Sequence, residues 1–296
     1  MEYKYPVSKP YMKGNELKYV TRAVESGWIS SQGSYVKEFE NAFANFNGVN
    51  YGVACSSGTS ALTLALRALN IGPNDEVIVP EFTMIATAWA VTYTGAKPVF
   101  VDCKDDLNIN TELIEEKITS RTKAIIPVHI YGRKCDMEKI MDIAHNYNLF
   151  VIEDSAEAHG VKPVGDIACF SLYANKIISS GEGGICVTNN ERFANQMIHL
   201  RSMAFSPEHD FIHRKVAYNF RMTNLQAGIA LAQLEKNHEI LDKRKGVEKR
   251  YNEKLKDVLR IKLMPKRNVL WMYDVVVENK EELQRHLKDF GIETRQ

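Results

Sequence analysis

Apolar and polar positions along this chain alternate in two rhythms. Short runs rich in valine and isoleucine at residues 51–54, 76–80, 98–102, 124–129, 149–154, 168–173 and 184–188 have the length and continuity of strands buried on both faces. Between them, residues 60–69, 83–93, 111–118 and 137–147 keep apolar side chains at helical spacing. That alternation predicts an α/β fold, a largely parallel sheet covered by helices on both faces. Ligands of such a sheet gather at the carboxyl ends of its strands.

The rhythm changes near Thr223. One long helical pattern runs from Asn224 to about Val258, and a strand at 269–277 and a helix at 280–290 follow it. The chain therefore divides into a large domain with its N-terminal segment, 1–222, and a linking helix with a smaller C-terminal α+β lobe, 223–296. Composition adds exclusions. With 25% charged residues and a net charge of +1, no bulk attraction to nucleic acid or to an anionic membrane is expected. No apolar run reaches the ~18 residues of a spanning helix and the first residues lack an apolar leader, so the expected compartment is the cytoplasm. The five cysteines, Cys55, Cys103, Cys135, Cys169 and Cys186, show no metal-ligand spacing and read as reduced packing residues. No metal is expected.

Chemistry enters with two residues. Asp154 ends an apolar run that delivers it to a strand's carboxyl end, where an unpaired carboxylate is costly. Lys176 follows another apolar run and precedes Gly181, Gly183 and Gly184, which permit a tight turn where a ligand must approach. A buried lysine has a lowered pKa, and its free amine can attack an aldehyde and later shuttle a proton. An acid followed by such a lysine is what pyridoxal 5′-phosphate requires: the amine holds the aldehyde, and the carboxylate keeps the pyridine nitrogen protonated. Ser57, Gly58 and Thr59 lie between a strand and a helix, where backbone N–H groups and the helix dipole favour a phosphate. A P-loop and a dinucleotide fingerprint are both absent from the sequence.

Six motifs then occur in one order: ACSSGTSAL at 54–62, EVIVP at 76–80, PVHIYG at 127–132, EDSAEA at 153–158, NK at 175–176 with GEGG at 181–184, and YNFRMTN at 218–224. In this order they resemble the nucleotide-sugar aminotransferases of the DegT/DnrJ/StrS family, from about Pro10 to the last residue. The resemblance implies an aspartate-aminotransferase-like (fold type I) architecture and a homodimer with shared active sites. It gives catalytic roles to Lys176 and Asp154. It places Glu157 and Met84 near the cofactor ring, and Ser171 on the phosphate, with Asn219 reaching the phosphate from the neighbouring subunit. Three departures stand out. Met84 replaces an aromatic that often stacks on the ring, the segment between His159 and Phe170 is shorter than in typical members, and the C-terminal lobe is expected to be incomplete.

The activity implied is transfer of the amino group of L-glutamate to a nucleotide-linked 4-keto-6-deoxysugar. GWISS at 27–31 and RMTN at 221–224 resemble members acting on a GDP sugar, while relatives using UDP- or dTDP-4-keto-6-deoxyglucose share the same motifs. Dehydratases of the same fold carry histidine where Lys176 stands. An inactive or regulatory member is the remaining alternative, set against the joint retention of the lysine, the acid and the phosphate-loop residues.

Overall fold

The computed structural model describes residues 3–205, 211–213 and 215–296. Seven strands form one sheet: β1 (Tyr51–Cys55), β2 (Glu76–Pro80), β3 (Lys97–Val101), β4 (Thr122–Ile125), β5 (Phe150–Asp154), β6 (Ile167–Ser171) and β7 (Gly184–Thr188). Their spatial order is β1-β7-β6-β5-β4-β2-β3, with β7 antiparallel to both neighbours and every other pairing parallel. The α/β expectation holds.

Successive strand residues enter different cores, which is why these strands read as continuous apolar runs. Val77 and Val79 pack with α3 (Gly58–Ala68), whereas Ile78 between them packs with α5 (Met137–Tyr147). Cys169 and Cys186 join the first core, while their neighbours Phe170 and Ile185 join a third, beneath α2 (Ser34–Asn47) and α7 (Asn224–Glu235). All five cysteines are free thiols. Two further helices, α1 (Glu16–Glu25) and α6 (Glu191–Arg201), complete the helical layers around the sheet together with α4 (Ala86–Tyr93).

Several expectations need correction. Residues 111–118 form two 3₁₀ turns, Thr111–Leu113 and Glu115–Lys117, because so short a run gains too few hydrogen bonds to offset α-helix nucleation. Strand β4 stops at Ile125, ahead of Pro127, which has no N–H to continue a ladder. The long helix is broken at Lys236 into α7 and α8 (Asn237–Leu255), and the Asn237 side chain takes the Leu234 carbonyl at the break (2.6 Å). Of the strand expected at 269–277, only β9 (Val275–Val277) pairs, with β8 (Ile261–Leu263), ahead of the final helix α9 (Lys280–Asp289). Residues 268–274 turn instead toward the large domain: Asn268 and Val269 donate their amides to the Gly132 carbonyl, and Arg133 pairs with Asp274 through two bonds.

Candidate active site

Asp154 closes β5 and is buried. Its Oδ2 accepts from Thr87 Oγ1 of α4 (2.8 Å) and its Oδ1 from the Ala156 amide (3.1 Å). Thr87 is linked in turn to Thr83 Oγ1 (2.9 Å). Burial pushes the Asp154 carboxyl above its ordinary range, against the pull of Thr87, the Ala156 amide and Lys176. The preceding Glu153 points to the opposite face of the strand, where His129 Nε2 (2.8 Å) and the amides of Val164 and Gly165 meet it. Burial alone would raise Glu153; those hydrogen bonds, His129's first, hold it low.

Lys176 lies in the loop between β6 and β7. The loop is closed by Leu172 N–H to the Gly183 carbonyl (2.8 Å), Ala174 N–H to the Gly181 carbonyl (3.0 Å) and Lys176 N–H to the Tyr173 carbonyl (2.8 Å). Gly183 has φ +149°, and a Cβ there would meet Met222 Cε and Ser180 Oγ at 2.7 Å. Burial pulls the lysine's pKa down while Glu157 and Asp154 pull it up. Its Nζ lies 3.9 Å from Glu157 Oε1 and 4.0 Å from the Trp271 ring centroid. Glu157 Oε2 accepts from the Tyr131 amide (2.7 Å), which Tyr131 aims from a left-handed backbone, φ 51°. Burial pushes Glu157 up to about 7 despite Lys176 and that amide.

Ser57 caps α3: its extended backbone leaves Oγ free to accept from Ser60 N–H (3.1 Å). Gly58 opens the helix against Ser171 at the end of β6, where a Cβ on Gly58 would come within 2.8 Å of Ser171 Cβ. The first turn of a helix leaves its other amides without intrahelical acceptors, so Gly58, Thr59 and Ser171 frame a place for an anion.

The structure thus brings Lys176, Asp154 and Glu157 together, and Ser57, Gly58, Thr59 and Ser171 together at the ends of β1 and β6, on either side of the start of β7. Met84, just before α4, is 72% exposed in the single chain. Asn219 is also exposed, on a segment tied to Ser202 by a bridge and to Ser56, whose amide donates to the Phe220 carbonyl (2.9 Å). Thr87, Tyr131 and Trp271 are site residues that the sequence reading missed. Thr87 and Tyr131 sit inside recognised segments, whereas Trp271 comes from a distant segment that only folding places here. The donor set fits pyridoxal phosphate: a buried acid already held by a hydroxyl and an amide, a buried amine, and a helix N-terminus for the phosphate. Among the described residues, no group of His, Cys, Asp and Glu could hold a metal ion.

The family model of the DegT/DnrJ/EryC1/StrS aminotransferases matches residues 10–296. The chain belongs to that family. It is 42% identical to a GDP-perosamine synthase of Escherichia coli O157:H7 and 44% identical to one of Caulobacter vibrioides, each match covering 98% of this chain and 83% of the relative. Among solved structures, DesV of S. venezuelae superposes with a TM-score of 0.89 at 32% identity, over 94% of this chain and 78% of that one. A putative sugar aminotransferase of Streptococcus pneumoniae in its PLP-form gives a TM-score of 0.89 at 28% identity, over 98% and 83% of the two chains. The fold is that of the sugar aminotransferases. No helix among the described residues of this aminotransferase is long and apolar enough to cross a membrane.

Proposed function

We propose that this chain is a pyridoxal 5′-phosphate-dependent aminotransferase that carries the amino group of L-glutamate to the 4-keto carbon of a GDP-linked 6-deoxysugar. The observation that carries this reading is the meeting of the buried Asp154 carboxyl, at the end of β5, with the largely covered Lys176 amine, in the loop after the adjacent β6, beside the capped N-terminus of α3. The identities to two GDP-perosamine synthases support the substrate class. Bound there, the cofactor supplies an aldehyde for amine exchange and a ring that accepts electrons.

The chain's own residues do the rest. Thr87 and the Ala156 amide fix the Asp154 carboxyl, so that it would meet a bound cofactor's ring nitrogen without reorganising. Low dielectric makes a proton shared there stable, since a buried carboxylate lacking a positive partner is costly. Lys176, its pKa lowered by burial, would hold the cofactor's aldehyde, and its amine is placed to move a substrate proton. Ser57, Gly58, Thr59 and Ser171 would hold the phosphate, and Met84 and Glu157 would lie beside the ring.

A homodimer belongs to this reading. Met84, Ile85, Trp89 and Tyr93 on or beside α4 are exposed in the single chain together with Phe82 and Phe100. So large an apolar face on a helix that lines the Asp154 site is suited to a partner subunit. Asn219 then reaches the phosphate of the partner's site.

Two measurements test the proposal. Borohydride treatment of the cofactor-loaded protein fixes the label on the peptide containing Lys176, and a label on another lysine removes the assignment. Incubation with glutamate and a panel of GDP-, UDP- and dTDP-4-keto-6-deoxysugars gives an aminated GDP sugar. A product from the UDP or dTDP member alone reassigns the base, and no product from any of them overturns the activity.

A further inference from the structure

Trp271 stands on the segment that leaves the expected strand, and it is held there at several points. Its indole N–H donates to the carbonyl of Asn175, the residue before Lys176 (2.9 Å), and Arg244 Nη1 donates to its own carbonyl (2.8 Å). Tyr131 stacks on its ring at 5.7 Å and 18°. The Lys176 amine lies over the indole, 4.0 Å from its centroid. An aliphatic side chain would close the same space, but only an aromatic one turns a negatively polarised face toward a cation.

The other groups facing Lys176 are known. Glu157 Oε1 is 3.9 Å from its Nζ, Asp154 acts on it from the end of β5, and His159 is kept neutral by burial, its pKa pushed down to about 3. Tyr131 adds a phenol whose pKa burial raises. A carboxylate stabilises an ammonium but also takes its protons as hydrogen bonds. An indole face stabilises the charge and leaves all three N–H donors free.

We propose that Trp271 is a positioning residue for Lys176, its indole face seating the amine beside Glu157 and stabilising the protonated form. The inference rests on Lys176 being the reactive lysine. It makes that lysine's proton balance depend on the docking of residues 268–274 against the large domain, because the indole is delivered by that segment alone.

The test uses the full chain loaded with pyridoxamine 5′-phosphate, in which Lys176 carries no covalent bond. Trace acetylation across pH, read by mass spectrometry on the Lys176 peptide, gives the pKa of the amine. In Trp271→Leu, which fills space without an aromatic face, that pKa falls by about one unit, about 1.4 kcal/mol; in Trp271→Phe it falls less. A side chain that merely covers the lysine behaves otherwise: Leu and Phe give equal values, or Leu raises the pKa by admitting water, and either result overturns the proposal. A borohydride label found off Lys176 removes the functional reading but leaves this pKa comparison standing, so the two failures are distinguishable. Should the Leu variant not fold, the unmutated chain carrying 5-fluorotryptophan still decides. Its three tryptophans give separate ¹⁹F resonances, with that of Trp271 assigned by the Phe variant. The Trp271 resonance shifts with the lysine's midpoint and loses that titration in Lys176→Met; a resonance indifferent to Lys176 overturns the proposal.

Discussion

Three ionisable side chains meet at this site, Asp154 buried and Lys176 and Glu157 largely covered, and each loses part of what water would give it. Asp154 is raised by burial although Thr87 and an amide bond to it, which leaves it in need of a positive partner. A ring N–H⁺ meets that need; Asp154→Asn does not. The variant therefore retains cofactor, seen as a visible absorbance, while kcat falls by at least on the order of 10²-fold. Turnover near normal in that variant would leave Asp154 a structural acid. Glu157 gives a pH signature with a definite sign. Burial pushes its pKa up to about 7 from an ordinary 4.5, so the folded chain keeps a proton that the unfolded chain has lost. Its contribution to stability is complete below the ordinary value and is lost as pH rises to about 7. In the cofactor-free protein, Glu157→Gln should flatten the fall in Tm across that window, as thermal melts at stepped pH would record. Parallel curves for the two proteins would show that Glu157 ionises as it would in water.

At the scale of elements, two close backbone contacts set the site and its frame, and they can be separated. A Cβ on Gly184, at the start of β7, would meet the Ser57 carbonyl oxygen at 2.2 Å, directly under the turn proposed to hold the phosphate. One on Gly52, in β1, would meet the Glu40 carbonyl oxygen of α2 at 2.4 Å. Both alanine variants should lose about 1–3 kcal/mol in denaturant melts. Only Gly184→Ala should also weaken cofactor binding, measured by titration of the visible band, because only there does the displaced backbone belong to the anion site. Equal binding by the two variants would detach Ser57 from the phosphate. The same elements show what was legible beforehand. Strands such as β2 and β7 are buried on both faces and therefore announce themselves as apolar runs. The segment 269–274 carries a strand's pattern yet gives its polar groups to Gly132, Asn175, Arg244 and Arg133, a tertiary choice that no local rhythm encodes. Trp271 was hidden for the same reason. Its indole bonds to a carbonyl 96 positions away in sequence. By contrast Asp154 and Ser57 stand where a strand ends and a turn or helix begins, and Lys176 stands between an apolar strand and a glycine turn, positions that sequence alone can mark.

The whole molecule raises the matter of what covers α4 and what Asn219 touches. Met84 and Trp89 expose apolar surface beside the Asp154 site, and Asn219 is exposed on a segment anchored to Ser56, next to the turn at residues 57–59 of its own chain. If two chains pack through this face, each site draws its lysine and acid from one subunit and Asn219 from the other. Asn219→Ala then weakens cofactor binding, and Lys176→Ala abolishes turnover, each when present in both subunits. Mixing the two variants creates heterodimers in which one site has an altered lysine and an altered loop, while the other has both intact. Activity should return to about half that of an equal amount of unmutated dimer, in proportion to the heterodimers counted by native mass spectrometry. Variants and reference share the same length, so the ratio of their activities is independent of the absolute rate. Heterodimers that are present but as inactive as the Lys176→Ala parent would return Asn219 to its own subunit's site, an Asn219→Ala homodimer that binds cofactor normally would place it in none, and in either case the apolar face of α4 would need a different partner.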